Sequence, residues 1–261
     1  MSYKILFLDI DGTILKPDHT YTESTKNAIA EVKRQGVEVF LATGRPLHEI
    51  MDLAEELDVH SFVGYNGALG IYQEETIINE TLKESTTQEF LKIAKEQNNE
   101  IVFYTAEKNY FTNMTHPKTK QFIDIFNLKQ NEKFTEEITS NVLSGTLLNL
   151  QPEDVAAYEK EADIHLSQVN VEGAEHSYDI IRQSVNKGVA VERIMDRLGV
   201  RKEQTIAFGD GMNDKEMLQT VGEGFAMGNC ATELLPYAKH QTTTVTESGI
   251  ANGLKQLGLL K

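Results

Sequence analysis

The strongest constraint on the fold is a short apolar run near the N-terminus that ends in two acidic residues. In "KILFLDIDGT", Ile5 to Leu8 are continuously apolar, and Asp9 and Asp11 follow two positions apart. A continuous rather than alternating run predicts a strand buried on both faces, which is typical of parallel sheets. Because side chains alternate along a strand, both carboxylates are expected to point the same way at its end.

Alternating strand and helix patterns extend this sheet through the first third of the chain. A second apolar strand is predicted over "VEVFLA", and helices are predicted over "TYTESTKNAIAEVKRQG" and "RPLHEIMDLAEELDV". In the first of these helices, Thr20 and Glu23 have the spacing of a capping box. Strands and helices that alternate at this spacing predict a parallel α/β sheet.

The middle of the chain has a different pattern, with strands close enough together to form local antiparallel hairpins, as in "EIVFYTAEKNYFTNM". The earlier pattern returns near residue 184. The predicted fold class is therefore α/β, with a discontinuous, Rossmann-like parallel-sheet core and an inserted α+β cap domain. The predicted boundaries are 1–82 and 184–261 for the two parts of the core and 83–183 for the cap.

Composition excludes several classes of partner. There are 25 Lys and Arg against 40 Asp and Glu, a formal charge of −15, so nucleic acid and anionic membranes are not expected as partners. The single cysteine, Cys230, fits a reducing compartment. Without an apolar run of membrane-spanning length or the layout of a signal peptide, the expected location is cytoplasmic. The sequence does not predict an oligomeric state.

The chemistry of the first strand end follows from its two carboxylates. Like charges this close need compensation, and hard oxygen ligands favour Mg²⁺. Gly12 permits a tight turn there, and Thr13 offers a hydroxyl group. The same residues also fit a polar strand end followed by an ordinary Asp-Gly turn.

Two further segments suit an anion. "VEVFLATGR" ends in Thr43, Gly44 and Arg45 beside a helix start, where backbone N–H groups suit a phosphate, although this segment taken alone favours an ordinary helix cap. In "SVNKGVAVERI", Lys187 lies in the first turn of a helix, where the helix dipole disfavours a cation. That unfavourable placement indicates that Lys187 serves a bound anion.

A last segment, "TIAFGDGMND", places Asp210, Asn213 and Asp214 just beyond another buried strand. Their spacing lets two or three oxygen ligands converge on one ion. The alternative is a plain Asp-Gly turn followed by an Asn or Asp helix cap.

Taken in order, four motifs resemble the haloacid dehalogenase-like hydrolase superfamily: "DIDGT", "ATG", "NKG" and "GDGMND". The α+β insertion between the second and third motifs, and "YNGA" at 65–68, resemble its Cof-type phosphatase branch. The resemblance implies a hydrolase that acts on small phosphomonoesters with Mg²⁺ as cofactor. Sugar phosphates or a phosphorylated cofactor are the implied substrates, so the expected partner is a small phosphorylated metabolite.

The resemblance also implies roles for the acidic residues. Asp9 is the expected nucleophile, which forms an aspartyl-phosphate, and Asp11 is the expected general acid and then base. The metal is expected between Asp9, the main-chain carbonyl of Asp11, and Asp210. Asp214 is expected to support the metal or to orient Lys187.

Roles for the other motif residues follow in the same way. Thr43 and Lys187 are expected to hold the phosphoryl oxygens as part of the catalytic set. The expected substrate-binding residues are Thr43, Gly44, Arg45, Asn66, Lys187 and Asn213.

Two other functions fit the same residues. A phosphomutase or phosphotransferase would use the same aspartyl-phosphate but return a new phosphate ester. A receiver-like signalling domain would store a phosphoryl group on an aspartate without hydrolysing it. Asp11 and the inserted cap argue against the receiver-like domain, because storage needs neither a general base nor a lid.

Overall fold

The computed structural model describes residues 2–261. Its strands are β1 (Ile5–Leu8), β2 (Glu38–Ala42), β3 (Ser61–Gly64), β4 (Leu69–Tyr72), β5 (Glu75–Asn79), β6 (Glu100–Tyr104), β7 (Asn109–Phe111), β8 (Asn131–Lys133), β9 (Ser144–Leu148), β10 (Ile164–Gln168), β11 (Ser177–Arg182), β12 (Thr205–Gly209), β13 (Glu223–Ala226) and β14 (His240–Gln241). Its α-helices are α1 (Glu23–Arg34), α2 (Met51–Glu56), α3 (Glu84–Gln97), α4 (Pro117–Phe126), α5 (Val155–Tyr158), α6 (Lys187–Leu198), α7 (Lys215–Thr220) and α8 (Gly249–Gln256). Among residues 2–261, none of these helices is both long and apolar enough to span a membrane.

The larger sheet has eight strands in the order β14-β13-β12-β1-β2-β3-β4-β5. From β14 to β3 all neighbours are parallel, and β4 then pairs antiparallel with β3. Strand β1 lies in the middle, where Leu8 is in register with Leu41 on one side and Phe208 on the other. The carboxyl ends of β1, β2 and β12 therefore meet at one edge of the sheet.

Burial explains why these segments form central strands. All four residues of β1 and all five of β12 are buried, as a parallel strand covered on both faces requires. On one face, Phe7 and Phe40 pack with Ile194 of α6 and Met217 of α7. The sheet is thus a rigid support for whatever follows its strand ends.

The smaller sheet has six strands in the order β10-β11-β9-β6-β7-β8, antiparallel except for the pair β7–β8. Helices α3 and α5 contribute Phe90 and Tyr158 to its core, where the two rings meet edge to face beside a cluster that includes Phe103. Together the two sheets confirm the predicted fold class, an α/β protein with an α+β insertion.

The chain divides into two compact units. The first runs up to Arg45, resumes over Met51–Ile78 and ends with Asn186–Lys261. The second consists of Pro46–Ile50 and Asn79–Val185. The assignment of domains remains a prediction, with a core of 1–82 and 184–261 and a cap of 83–183.

Helix α1 begins later than its predicted capping box. Its N-cap is Thr22, whose hydroxyl accepts a hydrogen bond from the Thr25 N–H at 3.2 Å. Thr20 is engaged elsewhere, because its N–H and its hydroxyl both donate to Asp18 Oδ1. The predicted capping box of Thr20 and Glu23 is therefore wrong, because Thr20 donates its hydrogen bonds to Asp18 in a local turn.

The single helix predicted over "RPLHEIMDLAEELDV" is divided in two. A 3₁₀ turn covers Leu47–Glu49, and α2 starts only at Met51. Within the second unit, Asn109 pairs with His48 Nε2 at 3.0 Å and donates to Glu49 Oε1 at 2.9 Å. These side-chain bonds give the 3₁₀ turn partners in the second unit, which a helical periodicity does not reveal.

Candidate active site

Lys187 lies between two carboxylates at the carboxyl edge of the large sheet. Its ammonium group donates to Asp9 Oδ1 and to Asp214 Oδ1, both at 2.6 Å. The side chains of Lys187 and Asp214 are 0% exposed and that of Asp9 is 8% exposed. This arrangement joins the ends of β1 and β12 to the first residue of α6.

Close helix packing places Lys187 there. Asn186 caps α6 by accepting a hydrogen bond from the Val189 N–H. A Cβ added to Gly188 would lie 2.5 Å from Glu216 Cβ, so only glycine lets α6 approach α7 this closely. The first turn of α6 is thereby pressed against the helix that follows Asp214.

Asp214 uses both carboxylate oxygens within the protein. Oδ1 accepts from Lys187, and Oδ2 accepts from the N–H groups of Asp210 and Gly211 at 3.0 and 3.1 Å. Asp214 therefore folds the loop that carries Asp210 and also orients Lys187.

Asp210 completes an acidic cluster. Asp9, Asp210 and Asp214 each offer an oxygen atom within 4.8 Å of the others. Thr13 donates its hydroxyl to Asp210 Oδ1 at 3.3 Å. Gly12 has a φ of +81°, and a Cβ on it would lie 2.0 Å from Asp210 Oδ2. Position 12, in the turn after β1, therefore requires glycine.

The charges in this cluster do not balance. Burial raises the pKa of Asp9 well above its usual range, and the charge of Asp214 raises it further, while Lys187 acts in the opposite direction. Burial and Asp214 likewise raise the pKa of Asp210 to about 6. Burial alone would lower the pKa of Lys187, but the Asp214 and Asp9 carboxylates outweigh it and raise that pKa. One ammonium against three carboxylates leaves an excess of negative charge.

The donor set fits a divalent cation. Carboxylate oxygens are hard ligands, which suit Mg²⁺ or a similar ion, and an added cation would relieve the charge excess. Both oxygens of Asp214 accept short hydrogen bonds, from Lys187 and from two backbone N–H groups, whereas the donors to Asp210 lie at 3.3 and 3.4 Å. Asp9 and Asp210 are therefore the better candidates for ligands. The carboxylate of Asp11 lies outside the cluster, so any role of Asp11 as a ligand falls to its main-chain carbonyl.

Arg45 engages Asp11 instead. Arg45 Nε donates to Asp11 Oδ2 at 2.8 Å, and Nη2 donates to Oδ1 at 2.6 Å. The pair is partly exposed, with side-chain exposures of 37% and 50%. The sequence placed both residues at the site but did not predict that they pair.

Contacts also link the second and fourth motifs. The Thr43 hydroxyl accepts the Arg45 N–H at 3.0 Å, which is a local turn and not a helix cap, because the following 3₁₀ turn has Pro46 at its N-cap and no side-chain cap. The Asn66 N–H donates to the Thr43 carbonyl, and Asn213 donates its amide to Asn66 Oδ1 at 3.2 Å. A Cβ on Gly44 would touch the Asn66 amide at 3.0 Å. Five of the six predicted substrate-binding residues therefore form one group.

A sequence model of the haloacid dehalogenase-like hydrolase family matches residues 6–254. The chain belongs to that family. Among its relatives, YkrA of Bacillus subtilis (strain 168) is 35% identical over an alignment of 263 positions that covers 100% of this chain and 100% of YkrA. The 5-amino-6-(5-phospho-D-ribitylamino)uracil phosphatase YitU of the same organism is 29% identical over 268 residues, covering 97% of this chain and 96% of YitU.

Solved structures agree with this assignment. A hypothetical protein from Geobacillus kaustophilus HTA426 superposes with a TM-score of 0.91 at 28% identity, covering 99% of this chain and 100% of that one. The HAD subclass IIB sugar phosphatase BT4131 superposes with a TM-score of 0.82 at 23% identity, covering 98% and 100%, and so shares the fold. Together with the family match, these findings confirm the resemblance to the Cof-type branch of the superfamily. They also confirm the predicted enzyme class, a hydrolase acting on phosphomonoesters.

One residue of this haloacid dehalogenase-like site was missed. Asn229 donates its amide to the Gly12 carbonyl at 2.8 Å and to Asp210 Oδ2 at 3.4 Å. It follows shortly after the end of β13 (Glu223–Ala226), so its position near the carboxyl edge of the sheet was a usable signal. An asparagine that follows a single glycine carries no motif of its own, however, and therefore did not stand out.

Proposed function

We propose that this protein is an Mg²⁺-dependent phosphatase that hydrolyses small phosphomonoesters through an aspartyl-phosphate on Asp9. The observation that carries the proposal is the buried bridge of Lys187 between Asp9 and Asp214, with Asp210 in the same acidic cluster. A phosphoryl group carries charge on three oxygens, and catalysis of its transfer consists mainly of positioning and neutralisation.

The metal would be held by Asp9, Asp210 and the main-chain carbonyl of Asp11. When bound, Mg²⁺ supplies positive charge that draws the phosphoryl group toward Asp9 and offsets the negative charge of both partners. Asp214 supports this arrangement by holding Lys187 and the backbone of Asp210 in place.

Two displacements then follow at phosphorus. Asp9 attacks, the bond from phosphorus to the substrate's ester oxygen breaks, and Asp11 gives its proton to the departing alkoxide. In the second step Asp11 takes a proton from a water molecule, and the resulting hydroxide attacks the phosphoryl group on Asp9. Inorganic phosphate leaves, and both carboxyl groups return to their starting state.

Asp11 must exchange its partner before the first step. Arg45 occupies both of its oxygens, so neither can present a proton while the pair persists. The phosphoryl group of an arriving substrate offers Arg45 an alternative anion. Arg45 therefore gives up its bonds to Asp11 when it binds the substrate's phosphoryl group. Four further residues of the same group are proposed to contact the substrate there: Thr43, Gly44, Asn66 and Asn213.

The substrate class is a small phosphorylated polyol, sugar or phosphorylated cofactor. The names of two similar proteins support it, since YitU acts on a phosphoribityl compound and BT4131 on sugar phosphates. The strong negative charge of the chain also favours small substrates over polyanionic macromolecules.

The test is a panel of phosphorylated metabolites assayed with Mg²⁺ for release of inorganic phosphate, ranked by kcat/KM. Borohydride reduction during turnover, followed by peptide mass spectrometry, should locate the acyl phosphate at Asp9. Asp11→Asn should lower kcat by about 10²–10⁴-fold, as loss of a general acid–base does. Full activity of that variant, or an isomerised ester in place of free phosphate, would contradict the proposal.

A further inference from the structure

Asn229 lies beyond the end of β13, in a loop that is fastened to the strand end carrying Asp210. The Met227 N–H donates to the Gly209 carbonyl, and the Ala231 N–H donates to the Asp210 carbonyl, both at 3.0 Å. Backbone bonds thus hold the loop on both sides of Asn229. Its side chain is thereby held in a fixed position relative to the acidic cluster.

The amide of Asn229 links three separate segments. Nδ2 donates to the Gly12 carbonyl at 2.8 Å and, at 3.4 Å, to Asp210 Oδ2, while Oδ1 accepts the Val245 N–H at 2.8 Å. Turning the amide over would set its NH₂ against an N–H and its oxygen against two acceptors. The three partners therefore define its orientation.

These contacts determine how the Asp210 carboxylate is rotated. Thr13 donates to Oδ1 and Asn229 donates to Oδ2, so each oxygen has a side-chain donor from a different part of the chain. Asn229 also fixes the Gly12 carbonyl, directly after the main-chain carbonyl of Asp11. One side chain thus steadies both segments that would carry the metal ligands.

We propose that Asn229 is a positioning residue for the divalent metal, which it serves through Asp210 and the turn after β1 rather than as a ligand. This inference rests on the proposed metal site. Donors around a metal-binding carboxylate set the direction of its oxygens, and their loss typically weakens metal binding about 10–100-fold.

The test uses the full-length protein and two variants, Asn229→Ala and the similarly sized Asn229→Leu. Asn252→Ala is the matched control, because the Asn252 amide also makes two donor bonds, to Thr243 and Glu247, away from Asp210. Mg²⁺ is titrated calorimetrically into metal-free protein without substrate, and urea unfolding is measured without metal.

We expect both Asn229 variants to bind Mg²⁺ about 10-fold or more weakly than the unmodified protein, and the control to bind it normally. Their kcat should recover at saturating Mg²⁺, with KM for substrate little changed. Mg²⁺ affinity within twofold of the unmodified protein in the folded Asn229 variants would overturn the proposal. So would an equal loss of affinity in the Asn252 control.

The same titration separates this inference from the proposed function. If the unmodified protein fails to bind Mg²⁺, the metal-dependent mechanism is wrong, and the role of Asn229 is wrong with it. If the unmodified protein binds Mg²⁺ and the Asn229 variants bind it equally well, only the role of Asn229 is wrong.

Discussion

Arg45 and Asp11 form an ion pair with two parallel hydrogen bonds, from Nε to Oδ2 at 2.8 Å and from Nη2 to Oδ1 at 2.6 Å. The guanidinium fork matches the carboxylate so well that a lysine could not reproduce the pair. Because Asp11 is the proposed general acid and Arg45 a proposed phosphate ligand, the pair couples substrate binding to the readiness of the acid.

Replacing Arg45 separates these two roles. We expect Arg45→Ala to raise KM for phosphomonoesters by about 10-fold or more, since a hydrogen bond to a charged group contributes about 1.5–3 kcal/mol. The change in kcat should be small, because Asp11 no longer has to exchange partners. Steady-state kinetics test this, with Arg34→Ala as control, since Arg34 pairs with Glu31 on the surface of α1. A large fall in kcat at unchanged KM would show that Arg45 serves Asp11 and not the substrate.

Lys187→Met tests the buried bridge. Removing one partner of a buried ion pair leaves uncompensated charge and costs about 3–5 kcal/mol. We expect the free energy of unfolding of the metal-free variant to fall by that order, and Mg²⁺ to raise its melting temperature more than that of the unmodified protein. Calorimetry with and without Mg²⁺ provides the measurement. Lys215→Met, at a partly exposed pair with Glu216, should change little, and an equal response to Mg²⁺ in all three proteins would argue against the bridge.

Metal binding should depend on pH through Asp210. Its pKa of about 6 means that the carboxyl is protonated below that pH and cannot bind a cation. We expect the Mg²⁺ association constant to fall up to about tenfold for each pH unit below 6, measured by calorimetry. Asp210→Asn should bind Mg²⁺ weakly and lose this dependence, and a pH-independent affinity in the unmodified protein would contradict the assignment.

The Asp210 carboxyl stabilises the metal-free protein at low pH, whereas a typical carboxylate in a folded protein stabilises it at high pH. Its folded-state pKa of about 6 lies above the ordinary value of 3.8, so the folded protein binds more protons between these two values. Without metal, the contribution of Asp210 to the free energy of unfolding is therefore greatest below about pH 4 and is lost as pH rises through 6. Urea unfolding at both ends of this range measures the difference.

Two glycines with the same backbone angle make a matched comparison. Gly12 and Gly36 both have a φ of +81°, but a Cβ on Gly36 would meet nothing within 4 Å, whereas one on Gly12 would strike Asp210 Oδ2. Gly36→Ala should cost about 1 kcal/mol from backbone strain alone. Gly12→Ala should cost more and also abolish Mg²⁺ binding, as unfolding and calorimetric measurements would show. Equal losses in both variants would mean that Gly12 serves only the turn.

Continuous apolar runs made the large sheet predictable. Strands such as β1 and β12 are buried on both faces, and this burial requires the continuous runs of apolar residues that the sequence shows. The sequence did not reveal β14, whose two residues pair through their backbones, or β8, whose three residues are all polar. The division of the helix after Arg45 was equally hidden, because His48 and Glu49 find their partner far along the chain.

The candidate site was predictable where a motif sits at a strand end. Asp9, Asp210, Asp214 and Lys187 come together because parallel strands deliver their ends to one edge. The Arg45–Asp11 pair and the contacts of Asn229 depend instead on rotamers and on loop geometry. Neither follows from the spacing of residues in the sequence, so only the three-dimensional structure reveals them.

The glycine after Lys187 has a meaning beyond the chemistry of its neighbour. Gly188 lies against the backbone and Cβ of Glu216. The glycine of the Asn-Lys-Gly pattern is therefore required by the close packing of α6 on α7, independently of the chemistry of the lysine. A sequence that keeps the lysine but carries a larger residue at that position would have to separate α6 from α7. Its lysine would then lie too far from the carboxylates of Asp9 and Asp214 to donate to them, so the lysine would be present in the sequence but the site would not form.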